Sequence, residues 1–140
     1  MPAPPLLTRK TPKPVDEKLT LNISCVDLGQ IDLLVQEGFY ANRSDLIRTA
    51  IRNQIATHAD VVRQVVTRKS IVLGIQHYSV ADLERAREAG ERLQIRVLGL
   101  AVIAPEVTPE LALAAIESVT VLGALHASPA VKTALVGRLL

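Results

Sequence analysis

Residues 17–58 combine two hydrophobic periods in succession, and this stretch constrains the fold more than any other part of the chain. Apolar and polar residues alternate from Lys18 to Cys25, which predicts a strand with one buried face and Cys25 on its core side. The period then becomes helical, with apolar residues at Leu28, Ile31, Leu34 and Val35. A strand followed by a helix is therefore expected.

A second helix follows a turn. Gly38 stands where a glycine commonly ends a helix, and Ser44 is the expected N-cap of the next one. Its apolar positions are Leu46, Ile47, Ala50, Ile51 and Ile55. Because a strand and two helices in about forty residues cannot enclose a core alone, this unit requires a second copy of the chain.

The turn between the helices reads Gly38-Phe39-Tyr40-Ala41-Asn42-Arg43-Ser44. Together with the preceding strand pattern, it resembles the ribbon-helix-helix DNA-binding family of the Arc, MetJ and CopG type. In that family a glycine ends the first helix, an aromatic residue follows, and a polar Arg-Ser or Ser-Arg-Ser group opens the second. The resemblance covers residues 17–58. It implies an intertwined homodimer whose two strands pair antiparallel.

The resemblance also implies a DNA-reading face. In the family the two-stranded ribbon enters the major groove, where base edges carry a distinguishing hydrogen-bonding code. Lys18, Thr20 and Asn22 occupy the alternating polar positions that read bases in the family. Lys donates toward guanine, Asn bonds adenine, and Thr hydrogen-bonds a base or contacts a thymine methyl.

Family members hold DNA phosphate at the start of the second helix, where backbone N–H groups and the helix dipole favour an anion. The corresponding residues are Asn42, Arg43 and Ser44, with Asp45 partly opposing the phosphate. Arg48 and Arg52, one turn apart, are expected to form a solvated face or to pair with acidic residues, not to be sites. Double-stranded DNA is thus the expected partner.

The second half of the chain contains an internal repeat. Val72-Leu73-Gly74, Val97-Leu98-Gly99 and Val121-Leu122-Gly123 recur at a nearly constant interval. The helix-like runs that follow them cover Val80–Leu93, Thr108–Glu117 and Pro129–Leu139, with Ser79, Thr108 and Ser128 as N-cap candidates. Such a period predicts a solenoid-like β/α array with parallel strands. A small α/β sandwich with three similar strands is the alternative.

Each repeated glycine indicates a bend or a close backbone approach at the same place. The last repeat ends in apolar residues without a polar cap, so self-association through residues 70–140 is expected. The fold class expected for the whole chain is therefore α+β. We divide it into a flexible basic, proline-rich arm (1–15), the ribbon-helix-helix domain (16–58), a helical connector (59–69) and the repeat domain (70–140).

Composition excludes several classes of protein. A hydrophobic content of 49% excludes a disordered chain, and the single cysteine allows no internal disulfide. The N-terminus lacks the apolar segment of a secretory signal, which favours the bacterial cytoplasm and association with the nucleoid. Residues 1–68 hold nine Lys or Arg against seven Asp or Glu, so the excess positive charge lies in the expected DNA-binding half.

An enzyme is not expected, since His58, His77 and His126 are scattered and no glycine-rich phosphate loop is present. The same scatter argues against a metal-sensing repressor, so neither a metal nor a cofactor is expected. We predict a homodimeric transcriptional repressor assembled further through its C-terminal half. Two alternatives stay open: a polymer-forming or DNA-organising protein, and an antitoxin, whose toxin-binding tail is typically more charged and less folded.

Overall fold

The computed structural model describes residues 16–140, so the predicted N-terminal arm (1–15) lies outside the described residues. The chain is α+β. Three helices come first: α1 (Cys25–Gln36), α2 (Arg43–Thr57) and α3 (Ala59–Lys69). Strands and helices then alternate: β1 (Val72–Tyr78), α4 (Val80–Glu88), β2 (Leu93–Ile103), α5 (Pro109–Ala115), β3 (Ile116–His126) and α6 (Pro129–Leu135). A short 3₁₀ helix (Val136–Arg138) follows α6.

The three strands form one parallel sheet in the order β1-β2-β3, as predicted for consecutive strands joined by helices. The register aligns the three copies of the repeat residue by residue. Leu73 pairs with Leu98 and Leu98 with Leu122, and the glycines at positions 74, 99 and 123 form the next row across the sheet. The sequence repeat is therefore a structural repeat in this part of the chain.

One face of the sheet packs against α4, α5 and α6 and forms the core. Alternate residues of the central strand point toward these helices, because side chains alternate between the two faces of a strand. Ile95, Val97, Ala101 and Ile103 are almost fully buried there. The helices contribute the apolar residues Leu83, Leu111, Ala112, Ala115, Val131 and Leu135.

At two of the three repeated glycines a backbone carbonyl of the preceding strand occupies the space where a Cβ atom would lie, which agrees with the predicted close backbone approach. Gly99 has a φ of +134°, and a Cβ atom placed on it would lie 2.3 Å from the carbonyl oxygen of Gly74. Gly123 has a φ of +118°, and its Cβ would lie 2.0 Å from the carbonyl oxygen of Gly99. Only glycine fits because both the backbone conformation and the space exclude a side chain.

The expected caps open the three C-terminal helices, but these helices end earlier than predicted. Ser79, Thr108 and Ser128 each accept a backbone N–H of the first turn. The predicted runs to Leu93, Glu117 and Leu139 are wrong, because α4, α5 and α6 end at Glu88, Ala115 and Leu135. Leu93 and Ile116 instead open β2 and β3. Burial in the sheet core outweighs their fit to the helical period.

The predicted strand of residues 18–25 is absent from the single chain. Residues 17–24 belong to no helix or strand, and Leu19 and Leu21 are 82% and 66% exposed. A strand requires a hydrogen-bonding neighbour, and residues 16–140 provide none for this segment. Cys25 was expected on the core side of this strand. It is exposed and begins α1, with the Ser24 side chain as N-cap.

The two helices after the extended segment agree with the sequence pattern, apart from one helix start. The predicted N-cap Ser44 is wrong, since Asn42 caps α2 and Arg43 is already helical. Asn42 lies in the extended conformation that an N-cap requires, whereas Ser44 lies in the first turn. Beyond α2, the chain forms a separate short helix, α3, over the residues predicted as a helical connector.

Candidate nucleic-acid interface

The turn between α1 and α2 fixes how the second helix starts. Gly38 adopts a φ of +85°, a conformation that favours glycine. The Phe39 N–H donates to the carbonyl of Leu34 (3.0 Å), and the Gly38 N–H donates to that of Val35 (3.1 Å). These bonds satisfy the last carbonyls of α1 and reverse the chain direction. Gly38 therefore ends the helix as the sequence predicted.

A reciprocal pair of hydrogen bonds holds the first turn of α2. The Asn42 side chain accepts the Asp45 backbone N–H at 2.8 Å. The Asp45 carboxylate in turn accepts the Ala41 N–H at 3.0 Å. Asp45 therefore stabilises the turn, although its charge is unfavourable for a nearby phosphate. The backbone N–H groups of Arg43 and Ser44, in the first helical turn, have no acceptor within an α-helix.

The guanidinium of Arg43 is engaged within the chain. Its Nε and Nη2 atoms donate to both carboxylate oxygens of Asp32 on α1, at 2.7 and 2.8 Å. This hydrogen bonding lowers the pKa of Asp32 and raises that of Arg43. Both side chains are roughly half-exposed, so the pair contributes modestly to stability. It fixes the position of α2 relative to α1.

An open groove lies at the N-terminus of α2. Its lining residues are Ala41, Asn42, Ser44, Asp45, Arg48 and Arg52. The structure thus brings together two of the three expected phosphate-binding residues, Asn42 and Ser44, with Arg48 and Arg52. The two arginines were expected to be a solvated face. Their spacing could have indicated that they join the groove, because residues at intervals of four from Ser44 share one face of a helix.

The three expected base-reading residues lie on the extended segment before α1. Lys18, Thr20 and Asn22 are all exposed, and none lines the groove of α2. At the start of the segment, Glu17 contacts His126 of β3, with 3.2 Å between Oε1 and Nε2. The single chain therefore leaves these three polar side chains accessible but does not join them to the groove.

Apolar side chains of this region are also accessible. Leu33, Ile51 and Ile55, on α1 and α2, are exposed together with Leu19 and Leu21, and the three N-terminal helices contain a single buried large residue, Ile31. In contrast, the C-terminal sheet encloses an extended core. The N-terminal part thus has apolar surface that one chain does not cover.

Other titratable residues line a second open groove, beside β1 and α4, which contains His77, Tyr78, Asp82, Arg85 and Glu91. His77 and His126 are in the same row across the sheet, separated by Val102 on the central strand. Among residues 16–140 there is no group of three His, Cys, Asp or Glu side chains placed to hold a metal ion. No helix of this part is both long enough and apolar enough to span a membrane.

The segment before α1, the glycine turn and the capped second helix define a helical head, residues 16–69, that is followed by a parallel sheet. The chain belongs to the ribbon-helix-helix transcriptional regulator family, whose sequence model matches residues 14–132. The match continues well beyond residues 17–58, so the sheet is included in the family's pattern. No curated protein and no solved structure matches the chain.

Proposed function

We propose that this protein is a sequence-specific transcriptional repressor that binds DNA as a homodimer. The observation that carries the proposal is the extended segment before α1. In it Leu19, Leu21 and Ile23 alternate with Lys18, Thr20 and Asn22, and all six are exposed, so a strand formed there would have one apolar and one polar face. Burial of the apolar face would be stabilising, and the polar face is free to contact a ligand. An antiparallel ribbon formed with a second chain meets both requirements.

Pairing of the two segments is favourable on both counts. It satisfies backbone groups that have no partner in one chain, and it buries the exposed leucines. Burial of a leucine side chain contributes roughly 1.5–3 kcal/mol. Leu33, Ile51 and Ile55 provide further apolar surface on α1 and α2 for the second chain to cover. Dimerisation and folding of the head are therefore coupled in the proposal.

In the dimer, the polar face of the ribbon enters the major groove and reads bases. Lys18, Thr20 and Asn22 have side chains that discriminate between bases, each good pair contributing about 1–3 kcal/mol. At the groove of α2, the backbone N–H groups of Arg43 and Ser44 bind a phosphate oxygen. Since Asp32 holds the Arg43 guanidinium, Arg48 and Arg52 provide the positive side chains there. These phosphate contacts position the dimer without reading sequence.

The first experiment selects bound sites from a random duplex pool with the full-length protein at near-physiological salt, since low salt inflates non-specific binding. We expect a short palindromic or tandemly repeated site. Asn22→Ala should weaken binding to that site by about tenfold or more and leave random DNA unaffected. Gln36→Ala, an exposed amide of α1, is the matched control. Equal loss on all sequences would contradict base reading by Asn22.

Arg52→Gln tests the phosphate site separately. Each phosphate contact contributes to the dependence of binding on salt, so its loss should reduce the slope of log K against log salt by about 1 per site. The site preference should not change. An unaltered slope would show that Arg52 does not contact DNA.

A second candidate function is organisation of DNA by a growing assembly. The observation that favours it is the sheet of residues 72–126, whose first strand has no neighbour on its outer side within the described chain. In both candidates residues 70–140 join dimers on DNA. Enrichment of a defined site supports the repressor, whereas tight binding without any enriched sequence supports the DNA-organising protein.

A further inference from the structure

The outer edge of β1 has none of the features that normally protect an edge strand. Natural sheets block such edges with charged residues, prolines, bulges or covering segments, because the free N–H and C=O groups invite another strand. The sequence of β1 is Val-Leu-Gly-Ile-Gln-His-Tyr, without a lysine, an acidic residue or a proline. Its only strand neighbour among the described residues is β2.

Gly74 in this strand has the same backbone conformation as Gly99 and Gly123, but no strand of the described residues lies on the side where their neighbouring strand lies. Its φ is +127°, close to those of Gly99 and Gly123. At Gly99 and Gly123, a Cβ atom would lie 2.3 and 2.0 Å from the carbonyl oxygen of the repeat glycine on the preceding strand. At Gly74 the same space is open, with nothing within 4 Å. The edge thus has the shape that receives a glycine carbonyl.

The opposite edge of the sheet offers that carbonyl. β3 contains Val121-Leu122-Gly123, the third copy of the repeat, and its outer side already accepts a parallel partner. Leu139 forms a parallel bridge with Val119, and the Leu140 N–H donates to the Val119 carbonyl at 2.9 Å. This cover ends two residues before Val121. In the register of the sheet β1 starts opposite Val121, so the segment that a new β1 would need has no strand partner within residues 16–140, and the contact of Glu17 with the His126 side chain lies at its far end.

The exposure of the leucine row supports the same pairing. Leu73 and Leu122, at the two edges, are 66% and 56% exposed, while Leu98 between them is half-buried. Two rows further along, Ile75 at the edge is 50% exposed, whereas Leu100 on the central strand is only 6% exposed. Flanking strands on both sides therefore cover these side chains, and a strand beside β1 would cover Leu73 and Ile75 similarly.

We propose that the β3 edge of one copy pairs in parallel with the β1 edge of a second copy. Val121, Leu122 and Gly123 of one chain then align with Val72, Leu73 and Gly74 of the next, and the ladder continues in its internal register. The contact is head-to-tail and, in the open form that we propose, each added copy exposes a new free edge, so assembly grows with concentration. The inference deepens the proposed assembly through residues 70–140 and is independent of DNA reading.

Paired cysteine variants test the register. In a Cys25→Ser background, a Leu73→Cys chain and a Leu122→Cys chain are mixed and treated with a short bismaleimide. We expect a cross-link between residues 73 and 122 of different chains, identified by peptide mass spectrometry, and little product from either chain alone. Glu110→Cys on the middle helix, mixed with Leu73→Cys, is the control and should not react. A 73-to-73 link, or equal yield with the control, would overturn the proposal.

Light scattering over a range of protein concentrations tests the mode of growth. The mean mass of the wild-type protein should rise with concentration, whereas Leu73→Lys should stay at one fixed size. Glu110→Lys, a charge change far from both edges, should behave as wild type. A wild-type mass that is constant, or equal growth of Leu73→Lys and wild type, contradicts the edge pairing. Both assays lack DNA, so failure of site selection would refute the proposed function and leave these results unaffected.

Discussion

Replacing Gly99 by alanine tests the glycine row, and its cost can be estimated from the geometry. At a φ of +134° a side chain is strained, which costs about 1–3 kcal/mol. The new Cβ would also lie 2.3 Å from the Gly74 carbonyl oxygen, a backbone atom, so β1 must move. Overpacking of this kind costs about 1–3 kcal/mol. The sum of about 2–6 kcal/mol is a large part of the roughly 5–15 kcal/mol that stabilises a typical domain.

Two other glycines separate these contributions. Gly74→Ala has the strained φ but nothing within 4 Å, so dilute protein should lose only about 1–3 kcal/mol. Gly137→Ala has neither feature and should change stability by at most about 1 kcal/mol. Urea denaturation followed by circular dichroism, with hydrogen exchange of the β2 amides, measures all three. Equal costs at Gly99 and Gly74 would show that the close approach of the Gly74 carbonyl adds nothing to the cost of Gly99→Ala. A harmless Gly99→Ala would refute both the backbone strain and the steric contribution.

Three further outcomes concern the helix starts and the head. Arg43→Gln should raise the pKa of Asp32 toward 3.8 in an NMR titration, since the Arg43 hydrogen bonds lower it. The lowered pKa of Asp32 stabilises the folded chain at neutral pH, and this contribution to stability is lost as pH falls through the folded pKa. Ser79→Ala should cost about 0.5–2 kcal/mol in urea denaturation, as expected for loss of an N-cap. It should also raise the lowered pKa of Asp82, whose causes are hydrogen bonds to the Ser79 backbone and side chain; an unchanged pKa would exclude the hydroxyl as a cause. A chain ending after Lys69 should remain a DNA-binding dimer with weaker apparent affinity, and an unfolded monomer would show that the head needs the sheet.

Local signals were sufficient for the helices of the head and for the sheet register. Gly38 and the helical period located α1 and the turn, because a glycine C-cap and an apolar stripe are properties of neighbouring residues. The three Val-Leu-Gly copies predicted parallel strands because consecutive strands joined by helices run parallel, and the register then aligns the copies. The strand predicted at residues 18–25 differs, because a strand needs a hydrogen-bonding neighbour and the described residues provide none for this segment. The alternating pattern indicates a strand, but within residues 16–140 the single chain contains no strand that pairs with it.

Helix ends and the groove of α2 were harder to predict. Ile116 fits both a helical and a strand pattern, and only its burial in the sheet core decides that β3 starts directly after α5. At α2, Asn42 and Ser44 are both good N-caps, and the backbone conformation selects Asn42. Arg48 and Arg52 were missed as groove residues because a charged helix face is usually only solvated.

The two halves of the chain each lack a partner, and the proposed partners differ in symmetry. The N-terminal segment pairs with its own copy, a closed two-fold contact, whereas β1 pairs with β3 of another copy, an open contact. A chain with both contacts links dimers into a series. Residues 16–69 hold seven Lys or Arg and seven Asp or Glu, and Asp45 lies at the proposed phosphate site, so we expect one dimer to hold DNA weakly. If dimers are linked as proposed, they would bind neighbouring half-sites at high effective concentration, which would raise occupancy without any new base contact.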